Sequence, residues 1–283
     1  MSPLEAILDP LAFPFFVRAL AASVIVGLVC AVVGSFMVLR GLAFMGDALS
    51  HSAFPGVVAA YLLKGPFYLG AAIAAVGTAL AIGWITSRGR LRGDTAIGVL
   101  FAGMFALGIF MFSRIPNYVG DLFGFLFGEI LGIGDGDLLA ISVLAIVVLA
   151  VMALFWKELL YSTFDPQGAA AAGLPVVRLE YLFLALIALT IVVSLQAVGI
   201  ILVVAMLVTP AAIGQLLASS FWRLLGVAVA VGVIGPVVGL YLSYWLDSAT
   251  GATIVLVETL VFIVAVVVGR RPAVIRSGRP GPA

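Results

Sequence analysis

Apolar residues run in stretches of about 18 to 27, interrupted by Gly, Pro and charged positions, and each stretch is long enough to cross roughly 30 Å of hydrocarbon as a helix. The breaks predict spans near 13–39, 42–63, 67–86, 94–112, 137–156, 179–196, 198–217, 222–246 and 252–269. Between the sixth and seventh, near Gln196 to Gly199, there is almost no room for a loop, so this junction is either a tight turn or a broken helix. The expected fold is an all-α integral membrane protein with about eight to nine transmembrane helices. Without a long linker, low-complexity tract or clear internal repeat, residues 1–283 read as a single transmembrane domain. The opening MSPLEAILDPLAFPFF carries Glu5 and Asp9 instead of a basic segment, and the apolar run behind it is too long for a signal peptide, so it reads as a first membrane helix.

The stretch 119–133 is apolar but only about 15 residues long, and is expected not to cross. Gly120, Gly124, Gly128, Gly132 and Gly136 recur every four residues, which on a helix makes one nearly side-chain-free face for close packing. Gly235 and Gly239 repeat that motif in the eighth span.

Composition agrees with the pattern. Apolar residues make up 64% and charged residues 10%, where a soluble domain shows roughly 45 to 50% and about 25%. Nine spans with the amino terminus outside place 11 of the 14 basic residues on the inner side, as the positive-inside rule requires. A net charge of +1 supplies no basic surface to bind nucleic acid. One cysteine, Cys30, excludes an internal disulfide and a thiolate metal cluster. Lys64 and Lys157 are followed by Gly65 and Glu158, so no P-loop exists and the chain does not hydrolyse ATP itself. His51 is the sole histidine, which excludes an intramembrane zinc protease with two helical histidines.

The segment GLAFMGDALSHSAFPGV (41–57) carries the strongest candidate chemistry. Asp47 and His51 are four residues apart, on one helix face, about 5 to 6 Å apart at Cβ. Counted from Leu63, His51 lies roughly 18 Å deep, near the bilayer centre, where ionisable groups tend to mark a substrate or proton path. Pro55 lacks the N–H that would bond the His51 carbonyl, so an oxygen ligand becomes available. Imidazole and carboxylate suit zinc, manganese and iron alike. Spacing leaves three readings open: metal ligands, a proton relay, or a structural pair.

On the inner side, WKELLYSTFDPQGAAAAGLPVVR (156–178) predicts a short alanine-rich helix with Asp165 as cap, Pro166 at its first position and Gly173 with Pro175 at its end. Too short to stand alone, that helix is expected to need a partner surface. Glu258 and Arg18 are expected to pair with each other, and Gln196 and Gln215 to bond between helices. Asp121, Glu129, Asp135 and Asp137 belong to the outer region.

Taken together, Gly46-Asp47-Ala48-Leu49-Ser50-His51 with Pro55-Gly56-Val57, FDPQGAAAAGLP (164–175), QAVGIILVVAMLVTPAA (196–212) and TGATIVL (250–256) resemble the permeases of zinc, manganese and iron ABC importers. The resemblance covers almost the whole chain. It implies a type II ABC importer-like permease bundle, multi-pass in the bacterial plasma membrane and surrounded by lipid. It further implies a homodimer, two cytosolic ABC ATPase subunits and an extracytoplasmic metal-binding protein that delivers a divalent ion. No permanently bound cofactor is implied, and the metal ion is cargo. Asp47 and His51 match the family's metal-path residues. Phe164, Asp165, Pro166, Gln167 and Gly173 fall in its ATPase-docking helix, within the cytoplasmic loop 157–178. Glu258 departs from the family pattern, where an apolar residue is expected. Two alternatives remain: a proton-coupled secondary metal transporter, which would show repeat halves with paired broken helices, and an ABC permease for a metal chelate, which has no need of an Asp–His pair at mid-depth.

Overall fold

The structure is a computed structural model describing residues 8–89, 93–115, 128 and 130–269, with the side chains of 196, 197 and 201 excepted. Regular structure among these residues is helical throughout. In chain order the helices are α1 Pro14–Leu39, α2 Ala43–Ser52, α3 Phe54–Leu62, α4 Phe67–Ser87, α5 Gly93–Phe112, α6 Asp135–Leu154, α7 Trp156–Phe164, α8 Pro166–Ala171, α9 Val176–Leu217, α10 Phe221–Leu246 and α11 Thr250–Val268. The stretch expected not to cross, 119–133, falls mostly outside the described residues, and Ile130–Gly132 forms a short 3₁₀ turn.

The core is built on α1 and α9. In its most apolar stretch α1 has 72% of residues buried, against 17% for α5, so α1 is the axis and α5 a peripheral helix. Close approach makes this possible. Gly27 lies against the Gly232 carbonyl of α10 and Gly34 against the Leu207 carbonyl of α9, so a Cβ at either glycine would overlap a backbone oxygen.

Arginines mark the two ends of α1. At the outer end Arg18 Nη1 reaches Asp135 Oδ1 at 3.1 Å, and at the inner end Arg40 bonds to α7. The Arg18–Asp135 contact corrects the expected Arg18–Glu258 pair. Glu258 lies eight residues beyond Thr250, about 12 Å into α11, while Arg18 is only four residues into α1, about 6 Å, so the two sit at different depths.

Two further junctions differ from an uninterrupted reading. The span expected at 42–63 is two helices that meet at Ala53. Pro55 withdraws the N–H that would bond the His51 carbonyl, and Ser50 and Ser52 turn their hydroxyls back onto helix carbonyls, at 3.0 Å to Gly46 O and 2.7 Å to Ala48 O. The two helices lead from the turn at Arg40, which bonds to Thr163, toward Tyr68 of α4, which is within electrostatic reach of Asp137.

The second junction lies in α9, which is too long to cross once. It reverses at Gly199, whose φ of 73° and ψ of 172° lie in a region that only glycine adopts readily. Its two limbs return to one place: Phe183, on the first limb, and Phe221, just after the second, both pack on Phe36 of α1, at 6.2 and 5.2 Å between ring centroids. The tight-turn reading is therefore correct. Among the described residues, eight helical stretches are long and apolar enough to cross a membrane.

Candidate metal-path site

Broken helix α2–α3 positions the Asp47–His51 pair. Gly46 faces Met37 of α1 and Leu207 of α9, and Phe54 fits against Gly108 of α5, so α2 is held between the core and the peripheral α5. His51 Nδ1 lies 3.0 Å from the Asp47 carbonyl oxygen and 3.5 Å from Asp47 Oδ1. A carbonyl can only accept, so Nδ1 carries the hydrogen and neutral His51 keeps its lone pair on Nε2. Locking one ring nitrogen to a backbone oxygen is how proteins aim the other at a metal.

The imidazole ring is fixed on its other sides by α5. Phe101 and Phe105 present their rings at 5.1 and 5.2 Å between centroids, at 83° and 87° to the imidazole, which leaves its side chain 21% exposed. Asp47 is 40% exposed at its side chain. Nitrogen and oxygen donors therefore meet on one open face of an otherwise apolar bundle. No group of three or more His, Cys, Asp or Glu that could hold a metal ion occurs among the described residues. Two donors hold an ion more loosely than the four of a closed zinc site. Met45 is buried and Gln215 is exposed.

At the inner face the short helix expected after Asp165 forms as read. Asp165 Oδ1 accepts the Gly168 N–H at 2.8 Å, Pro166 opens α8, and Gly173, at φ +83°, ends it. Phe164, Asp165, Pro166, Gln167 and Gly173 are all exposed, while Ala169 is fully buried beneath them. The helix and its two ends thus present one uncovered edge that mixes an aromatic ring with polar side chains.

Sequence reasoning missed Arg40. Its Nε donates to Thr163 Oγ1 at 2.9 Å, its Nη2 to the Leu159 carbonyl and to Ser162 Oγ at 3.1 Å each, and its guanidinium lies 4.4 Å from the Phe183 ring centre. Burial pulls this guanidinium down to about 10, with Glu180 acting in the opposite direction, so it stays charged at neutral pH. Arg40 joins the carboxyl end of α7, one residue before the Asp165 cap, to the turn that begins α2. The available signal was a lone arginine between a long apolar run and the 41–57 segment, but nothing local names its partners.

Comparison with known proteins decides the family. Residues 12–269 match the ABC 3 transport family. The chain belongs to the ABC 3 transport family. It is 44% identical over 266 residues to the manganese transport system membrane protein MntC of Halalkalibacterium halodurans, covering 94% of this chain and 91% of that protein. It is 43% identical over 262 residues to the chelated iron transport system membrane protein YfeC of Yersinia pestis, covering 93% and 89%. Among solved structures, PsaBC from Streptococcus pneumoniae in complex with Fab superposes with a TM-score of 0.83 at 36% identity, covering 93% of this chain and 94% of that one. As an ABC 3 family member the chain is the multi-pass membrane permease of an ABC transporter, and ATP hydrolysis belongs to a separate subunit.

Proposed function

We propose that this ABC 3 permease imports a divalent first-row metal ion of the manganese and iron class, with zinc a competing ion, and that Asp47 and His51 are its ligands at mid-membrane. The observation that carries this reading is geometric: His51 Nδ1 lies 3.0 Å from its own helix's Asp47 carbonyl and 3.5 Å from an Asp47 carboxylate that is 40% exposed, which turns Nε2 into the available ring donor. Mixed nitrogen and oxygen donors without a thiolate suit these ions, and the names of the relatives carry manganese and iron.

An extracytoplasmic binding protein hands the ion to the outer mouth. The open face of α2 is completed by the same face of a second copy, so that two Asp–His pairs line one path across a homodimer. Two donors per chain let the ion leave again. On the inner side a cytosolic ATPase grips the exposed edge of α8 formed by Phe164, Asp165, Pro166, Gln167 and Gly173. Its movement reaches the ion through α7 and the Arg40 bonds, because Arg40 is three residues before α2 begins.

The test is uptake of radiolabelled manganese into proteoliposomes holding the full transporter, with matched loading of the binding protein. Asp47→Ala and His51→Ala each abolish uptake while the assembled complex and its basal ATPase activity survive. Normal uptake by either variant refutes the ligand assignment.

A further inference from the structure

Glu258 takes no part in the path described above. Its side chain is 0% exposed, and neither carboxyl oxygen has a hydrogen-bond partner among the described residues. Every other described Asp and Glu is exposed or partly exposed. Space has been made for this one: a Cβ on Gly235 of α10 would stand 3.2 Å from Glu258 Cγ and 3.5 Å from Oε1.

Among the described residues, no ion pair or hydrogen bond supplies a counter-charge to Glu258. Helices α9 and α10 pack against α11. From α10 comes Gly235, which does not ionise. From α1 comes Cys30, within electrostatic reach of the carboxyl and in hydrogen-bond contact with Ser194 of α9 at 3.3 Å. Arg18 is held at the outer end by Asp135. An ionised carboxylate here would be fully buried with neither a cation nor a donor among the described residues, at a cost of at least several kcal/mol. A neutral acid avoids that cost.

We propose that Glu258 is a proton-binding site: it holds a proton as a neutral carboxylic acid while α11 is packed on α9 and α10, and releases it to water when that packing opens. The site lies apart from Asp47 and His51 and needs no cargo ion.

The experiment uses the full chain in lipid nanodiscs and reads the C=O stretch of protonated carboxylic acids by infrared spectroscopy. Isotope-labelled glutamate separates glutamic from aspartic acid. The expected result is a glutamic acid band at neutral pH that Glu258→Gln removes. Should the Gln variant not fold, the isotope-shifted band of the parent chain at neutral pH decides the matter. Absence of that band at neutral pH overturns the proposal, as does its undiminished persistence in the Gln variant.

Discussion

Asp47 and Glu258 are two carboxylates within the apolar thickness of one bundle, in opposite surroundings. Asp47 lies 3.5 Å from an imidazole on a helix that breaks one turn later, and 40% of its side chain is open. Glu258 is sealed, has no hydrogen-bond partner among the described residues, and sits in an unbroken helix over a glycine. A buried polar group that is neither paired nor hydrated is stable only in its neutral form, whereas a half-open one beside a nitrogen donor can exchange ions. Position in the membrane therefore does not define the role of an acid; access and partners do.

The largest effect that would break this comparison is expected at the open site. Asp47→Asn keeps the shape and removes the charge, and should lower manganese uptake by more than the roughly 10- to 100-fold typical of disturbing an outer-sphere partner of a metal ligand. Glu258→Gln, the same change at the sealed site, should leave uptake at neutral pH within about twofold of the parent. Equal losses at both positions in the proteoliposome assay would erase the distinction.

Next in size is Arg40, which belongs to neither acid and tells whether the open site is driven from the inner face. Arg40→Ala removes three hydrogen bonds from a charged group, each worth about 1.5 to 3 kcal/mol when intact. Ions transported per ATP hydrolysed should fall by about tenfold or more while basal hydrolysis persists. Arg40→Lys keeps the charge without the fork and should fall between. An unchanged ratio in both variants would detach α7 and α8 from the metal helix.

The smallest effect sharpens the sealed site. Gly235→Ala places a methyl 3.2 Å from Glu258 Cγ and should destabilise the chain by about 1 to 3 kcal/mol in thermal unfolding. Adding Glu258→Ala should recover most of that loss, because the methyl then fills the vacated slot. A penalty unaffected by the second change would mean that Gly235 serves another contact.

Much of this was legible in the chain, for physical reasons that also explain the rest. The traverses are visible because a membrane helix must be apolar over its whole length. The Asp47–His51 pair and the Asp165 cap are visible because four-residue and three-residue spacings are local. Pro55 announced a disturbed helix, though the break falls at Ala53, where the serine hydroxyls add their pull. Gly199 was ambiguous because a reversal by one positive-φ residue leaves no loop in the sequence. Arg40 bonds to residues 119 to 123 positions away, and Arg18 to one 117 away, so packing alone selects them. The false Arg18–Glu258 pair came from matching opposite charges without comparing their depths.

The claim on which this account turns is that His51 Nε2 binds the cargo. Manganese is paramagnetic, and a directly bound imidazole nitrogen modulates its electron spin echo. The measurement is that modulation in the full transporter, reconstituted in nanodiscs and loaded with manganese through its binding protein, then freed of the binding protein. The account predicts nitrogen coupling from a bound imidazole in the parent chain and its disappearance in His51→Ala. Coupling that persists in the variant, or manganese held by the parent chain without nitrogen coupling, would contradict it.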